Sequence, residues 1–211
     1  MPKITLLPKS AFCILALAFC LAACFQIAVV PTASMEGTVL VGDHLFVSSA
    51  LDGPSLPGTS WRLPRLAAPR RGQIVSFRAP GESGAVYLKR VVALGGDSVE
   101  MRDGVLYIND TAMREPYAPR SRYMANVPRQ TVPGGEIYVL GDNRNNSEDS
   151  RAWGPVPVQS VIGRPILVLW SFRTKSSDWM DSRGEPTNAF YWTALHHLIP
   201  LTRWSRTGLL L

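Results

Sequence analysis

The sequence predicts a mostly β protein: a coiled antiparallel sheet or partly closed barrel behind one N-terminal membrane-spanning helix, with a small β-rich excursion. Three observations carry that prediction. An apolar run from Ser10 to Val30 contains no charged residue. Beyond it, short runs of β-branched and aromatic residues recur between Gly, Pro, Asn and Asp, in a chain with 17 Gly and 17 Pro. Between positions 37 and 185 no stretch repeats its apolar residues every 3.6 positions, so long amphipathic helices are not expected there.

The first element is the anchor. Lys3 and Lys9 precede the run, and the next charged residue is Glu36. As a helix, residues 10–30 extend about 31 Å at roughly 1.5 Å per residue, matching a hydrocarbon core about 30 Å thick. Lysines and the amino group on one side, with Glu36 and Asp43 on the other, keep the N-terminus cytoplasmic by the positive-inside rule. Residues 1–30 are then a cytoplasmic tip and single-pass anchor, and 31–211 an extracytoplasmic domain. A second reading stays open: Leu21-Ala22-Ala23-Cys24 is similar to a lipobox, at which cleavage leaves a lipid-bearing Cys24. The apolar run continues through Phe25-Gln26-Ile27-Ala28-Val29-Val30 instead of turning polar, which favours the uncleaved anchor.

The strands follow in order: Leu40–Val47, Gln73–Phe77, Ala85–Leu88, Val105–Ile108, Glu136–Leu140 and Pro165–Trp170. Residues 50–71 read as a Pro-rich loop or extended ribbon, and Ile108-Asn109-Asp110-Thr111 as a hairpin turn. The Arg- and Pro-rich region of about 101–133 reads as an excursion from the main sheet. The segment Phe190–Leu201 is too short and polar to span a bilayer. Its aromatics and the flanking Arg203 and Arg206 suit an interfacial helix, or else packing against the β-core.

Composition narrows the function classes. A 46% hydrophobic content supports a real core in 211 residues. The net charge of +6 and pI near 9.5 come from scattered basic residues without an aromatic-interleaved stripe, which argues against nucleic-acid binding and fits anionic lipid headgroups or a solvated surface. The three cysteines, Cys13, Cys20 and Cys24, all lie in the N-terminal segment, so the remaining domain has neither disulfides nor a thiolate metal site. No metal or cofactor is expected. His196-His197 lack further ligands at suitable spacing, and the acidic run 142–149 lacks the spacing and terminal Glu of an EF-hand.

Ser34, in Pro31-Thr32-Ala33-Ser34-Met35, stands four residues past the apolar run, and Lys89 lies in Tyr87-Leu88-Lys89-Arg90. A serine hydroxyl becomes a good nucleophile when a neighbour takes its proton, and a lysine does so once burial lowers its pKa toward neutrality. The chain has four lysines against eighteen arginines, and only Lys89 and Lys175 lie beyond the N-terminal segment. Arginine stays charged inside proteins, so it cannot replace an amine that must be neutral.

Four blocks in order make the chain similar to the type I signal peptidases, membrane-bound serine–lysine proteases that remove signal peptides from exported proteins. Pro31-Thr32-Ala33-Ser34-Met35 resembles the nucleophile block and Arg71-Gly72-Gln73-Ile74-Val75-Ser76-Phe77 the strand block after it. Tyr87 to Asp97 resembles the lysine block. Gly141-Asp142-Asn143-Arg144-Asn145-Asn146-Ser147-Glu148-Asp149-Ser150-Arg151-Ala152-Trp153-Gly154-Pro155-Val156-Pro157 resembles the long signature. The likeness runs from about Val30 to Pro157, with a weaker echo at the C-terminus.

By matching position, the resemblance implies Ser34 as nucleophile and Lys89 as general base, with Ser34 N–H and the Thr32 hydroxyl as oxyanion hole. It implies Ser147 as the serine that hydrogen-bonds the lysine ammonium. Asp149 with Arg151, and Asp142 with Arg144, would brace the site through ion pairs. Val30, Met35, Val39 and Leu88 would form the pocket for the small residue before the cut and would desolvate Lys89. Gly37 stands where a proline is common, and Asn145 where an aspartate is frequent, but neither position holds a reacting group. The implied partners are signal peptides of exported preproteins, membrane lipid and, indirectly, the export machinery, at the bacterial inner membrane and without nucleic acid.

Other classes fit less of the sequence. A repressor-type autoprotease needs a DNA-binding helical domain in place of the anchor. A non-enzymatic anchored envelope domain leaves the four ordered blocks unexplained. A specialised conjugative-pilin maturation peptidase of the same superfamily shares every block and differs only in substrate.

Overall fold

The computed structural model describes residues 9–56, 59, 61–78, 86–118, 126–178 and 198–211. Helix α1 (Lys9–Cys24) leads into β1 (Phe25–Val29), β2 (Asp43–Ser48), β3 (Ile74–Arg78), β4 (Val86–Leu94), β5 (Ser98–Arg102), β6 (Val105–Ile108), β7 (Thr111–Ala112), β8 (Val127–Thr131) and β9 (Glu136–Leu140). Then come α2 (Ser150–Trp153), β10 (Val156–Pro157), β11 (Val161–Ser171), α3 (Leu198–Leu201) and β12 (Leu209–Leu210).

Among the described residues the main sheet runs β1-β2-β11-β3-β4-β9-β10, with β12 also on β11, and its pairs are antiparallel. Two strands curl it by changing partners along their length. β11 pairs with β3 through Val161 and Gly163 and with β2 from Arg164 to Ser171, with register irregularities within both pairings. β4 pairs with β3 from Val86 to Arg90 and with β9 from Arg90 to Leu94. Such bulges bend a strand and tighten its twist, which coils an open sheet.

The expected excursion is a second sheet, β7-β6-β5-β8, beginning at Ser98 rather than near 101. Its hairpin turn has Asn109 at φ 51° and Asp110 at φ 65°, the left-handed pair that matches the twist of a two-residue hairpin loop. β5 and β8 were not among the expected strands. SVEMR alternates correctly, with Val99 and Met101 inward, but its three polar residues mask the pattern. VPRQT contains Pro128, which a strand tolerates at a sheet edge, where β8 lies. Val92, Val99, Met101, Leu106, Ile108, Tyr138 and Leu140 form one core that joins the two sheets.

The N-terminal segment divides differently from expectation. The helix stops at Cys24, about 24 Å long at roughly 1.5 Å per residue, and residues 25–29 become a strand paired with β2 from Phe25↔Ser48 to Val29↔His44. Phe25 stacks on Phe46 with ring centres 4.9 Å apart. Ser49 closes the helix end, its amide donating to the Cys24 carbonyl at 2.8 Å and its hydroxyl to that of Ala23 at 3.1 Å. No helix among the described residues is long and apolar enough to cross a membrane.

At the C-terminus, residues 190–197, including His196 and His197, lie outside the described residues, as does Ala85. Arg203 and Arg206, expected beside an interfacial helix, turn inward onto Asp43. Arg206 Nη2 lies 2.6 Å from its carboxylate, and that carboxylate also accepts from the Ser171 hydroxyl at 2.5 Å. Asp43 is fully buried, and a buried carboxylate needs such partners.

Candidate active site

Ser34 sits in a single 3-10 turn, Ala33–Met35, between β1 and β2. Thr32 enters it extended, at φ −125° and ψ 156°, and Thr32 Oγ1 lies 3.5 Å from Ser34 Oγ. The turn is held from across the fold: the Asn143 amide donates to the Ser34 carbonyl and Asn143 Nδ2 to the Ala33 carbonyl, each at 3.1 Å. Gly141 makes that approach possible. A Cβ there would stand 2.6 Å from the Ser34 carbonyl oxygen and against the Ser147 side chain.

Lys89 lies within β4, opposite Val75 of β3, and is 2% exposed. Burial pushes its amine from 10.5 down to about 8, against an upward pull from Asp149 and with a smaller downward push from Arg151. Loss of hydration disfavours the charged form, so desolvation outweighs the nearby carboxylates. The result is an amine with an appreciable neutral fraction near neutral pH.

Asp149 is the hub of the signature loop. Fully buried, it caps α2 and accepts from the Gly141 amide at 3.0 Å, from Ser147 Oγ at 2.8 Å and from Arg151 Nε at 2.7 Å. The expected Asp149–Arg151 ion pair is therefore formed. Ser147, expected against the lysine, donates to Asp149; a hydroxyl that gives its proton away keeps acceptor lone pairs, the state that can receive a bond from an ammonium.

The expected Asp142–Arg144 pair is not formed, and each residue has another partner. Asp142 takes both Nε (2.8 Å) and Nη2 (2.6 Å) of Arg90, and the Thr38 hydroxyl at 2.6 Å. Arg144 takes Glu115 at 2.9 and 2.5 Å, while its Nε donates to the Gly141 carbonyl at 3.1 Å. A buried carboxylate takes the planar fork that the sheet already presents: Arg90 is in register with Leu140, two residues before Asp142. Arg90, Thr38 and Glu115 were missed from the sequence. Adjacency to Lys89 was a signal for Arg90, whereas nothing local marks Glu115.

The four expected pocket residues come together. Val30, Met35 and Val39 are buried in one cluster with Leu45, Val47, Ile74 and Val168, and Leu88 packs against it. Leu211 joins the same cluster, a contact that its position at the far end of the chain concealed. His44 belongs elsewhere, on β2 between Val29 and Trp170. Its ring is edge-on to Phe172 at 5.3 Å, and burial lowers its pKa.

Residues 4–170 match the family model described as Signal peptidase, peptidase S26. The chain is 35% identical over 153 residues to thylakoidal processing peptidase 1, chloroplastic, of Arabidopsis thaliana, covering 67% of this chain and 41% of that protein. It is 31% identical over 181 residues to signal peptidase I of Pseudomonas aeruginosa, covering 68% and 64%. With probable signal peptidase I-1 of Synechocystis sp. it shares 33% identity over 145 residues, covering 65% and 67%. The match thus spans about two fifths of the plant protein and just under two thirds of the P. aeruginosa one.

Proposed function

This chain belongs to the signal peptidase family, peptidase S26, and from that premise we propose that it removes N-terminal signal peptides from exported proteins, cutting after small residues as a membrane-held serine endopeptidase. The observation that carries the reading is Lys89, an amine buried in the sheet and titrating near 8, in a fold that also brings the signature loop onto the turn of Ser34. An amine in that state is a competent general base near neutral pH.

Neutral Lys89 takes the Ser34 proton, and Ser34 Oγ attacks the carbonyl carbon before the scissile bond. The Ser34 N–H and the Thr32 hydroxyl receive the oxyanion, a contribution of about 2.7–4 kcal/mol for one such donor. The protonated amine gives its proton to the departing α-amine, and water then releases the acyl-serine by the same route. Ser147 holds the lysine while Asp142, Arg144, Asp149 and Arg151 fix the loop around it. Val30, Met35, Val39 and Leu88 wall the pocket. Each methylene changes pocket affinity by only about 1–3 kcal/mol, so large residues are rejected by overlap.

The partners are the signal peptides of preproteins, membrane lipid and, indirectly, the export machinery. The N-terminal segment holds the chain at the bacterial inner membrane, N-terminus cytoplasmic and the sheet, from Phe25 onward, outside, with Cys24 retained in the uncut chain. The hydrogen bonds of the Ala23 and Cys24 carbonyls to Ser49 support that reading.

The test is cleavage of a purified exported preprotein, with the product N-terminus read by mass spectrometry. Cutting after Ala, Gly or Ser is expected, together with loss of cutting in Ser34→Ala. Efficient cutting of precursors with Leu or Phe before the scissile bond would overturn the pocket, and full turnover by Ser34→Ala the nucleophile.

A further inference from the structure

After β7 the excursion does not simply loop away. Glu115-Pro116-Tyr117 runs back as a strap against three segments: the one that carries Ser34, the strand that carries Lys89 and the loop that carries Ser147. Glu115 and Arg144 form a two-toothed ion pair whose side chains are 9% and 6% exposed. Arg144 in turn holds the Gly141 carbonyl. The Arg90 guanidinium lies 3.9 Å from the centre of the Tyr117 ring, and the Tyr117 hydroxyl donates to Glu115 at 3.1 Å. At the Ser34 segment the Tyr117 carbonyl faces Gly37, 3.1 Å from where a Cβ would stand. Gly37 has φ +114°, a conformation that favours glycine.

A buried ion pair is weak evidence of stability, because desolvation offsets most of its Coulombic gain, but removing one partner leaves an uncompensated charge. Here that charge would be Arg144, three residues from the Gly141 amide held by Asp149 and next to Asn143, whose amide holds the Ser34 carbonyl. The Tyr117 ring covers Arg90 while Arg90 grips Asp142. We propose that Glu115 and Tyr117 are positioning residues, and that the excursion is a strut that sets the distance between the nucleophile turn and the lysine strand. The proposal rests on reading Ser34 and Lys89 as the reacting pair. A misplacement of about 1 Å at such a pair costs on the order of a hundredfold in rate.

The experiment uses the full chain in detergent micelles with a purified preprotein, and compares Glu115→Gln, Tyr117→Leu and Tyr117→Phe. Hydrogen exchange at the Gly141 and Asn143 amides supplies a readout independent of turnover. Glu115→Gln should raise both exchange rates at least fivefold and lower kcat at least tenfold, with KM within threefold. Tyr117→Leu should lower kcat similarly and raise exchange at the Gly141 and Asn143 amides, whereas Tyr117→Phe, which keeps the ring over Arg90, stays within threefold of the parent in both. Unchanged exchange in Glu115→Gln, or kcat within twofold in both Glu115→Gln and Tyr117→Leu, overturns the strut. Should Glu115→Gln fail to fold, Tyr117→Leu against Tyr117→Phe decides by itself. Turnover by Ser34→Ala would remove the reading beneath the proposal, and the exchange rates would still report on the strap.

Discussion

The Asn143 amide donates to the Ser34 carbonyl at 3.1 Å, joining the turn at the start of the domain to a loop more than a hundred residues later. Gly141 is what lets the two backbones approach. Gly141→Ala would place a methyl group 2.6 Å from the Ser34 carbonyl oxygen, a contact that only a backbone shift relieves. The expected outcome is a loss of at least tenfold in kcat with the protein still folded. Parental kcat in a purified Gly141→Ala variant would show that the loop gives way at no cost to the site.

Lys89 sets the pH dependence. Since burial brings the amine down to about 8 in the free protein, kcat/KM should climb as the pH rises through that value and level off above it. Lys89→Arg keeps the charge but cannot become neutral, so it should be as inactive as Lys89→Ala. Retention of more than about a tenth of parental kcat/KM, a loss of only about 1.4 kcal/mol, would move the base away from Lys89.

The same amine destabilises the fold. Its folded-state pKa lies below the ordinary 10.5, so between about pH 8 and 10.5 the unfolded chain holds a proton that the folded chain has lost, and stability rises with pH across that window. Below pH 8 the buried charge costs about 3 kcal/mol. Lys89→Met should therefore melt several degrees higher than the parent at pH 7, with the difference shrinking by pH 10. Equal melting temperatures at pH 7 would mean that water reaches the amine.

Thr32 separates an oxyanion donor from a structural hydroxyl. Thr32→Ala should lower kcat by about 10²–10³ while Thr32→Ser stays active, as expected for loss and retention of one donor. A kcat for Thr32→Ala within twofold of the parent would make the 3.5 Å approach to Ser34 incidental.

The N-terminal segment is tested by mass. The mature protein should retain Met1 or its near neighbours, and Cys24→Ser should leave membrane retention unchanged. A product that begins at a diacylglyceryl-modified Cys24 would establish the lipobox in place of the anchor.

Local chemistry was enough for much of this protein. Glu136–Leu140 and Val105–Ile108 form strands with the bounds their β-branched and aromatic runs predict, and Asn109-Asp110 turns the hairpin because those two residues tolerate left-handed backbone. Four ordered blocks marked the residues of the candidate site, and the scarcity of lysine singled out position 89. Partner choice was not legible in the same way. Asp142 and Arg144 are close in sequence and of opposite charge, yet a buried carboxylate bonds to whichever fork the packed sheet presents, here Arg90, and leaves Arg144 to Glu115. The helix boundary at Cys24 was likewise decided by tertiary pairing: Phe25–Val29 is apolar enough to continue a helix, but β2 offers it a ladder and Phe46 a ring to stack on. Residue type and spacing determined which groups can do chemistry. Long-range register and burial decided which of them meet, because those depend on neighbours that no local stretch of sequence contains.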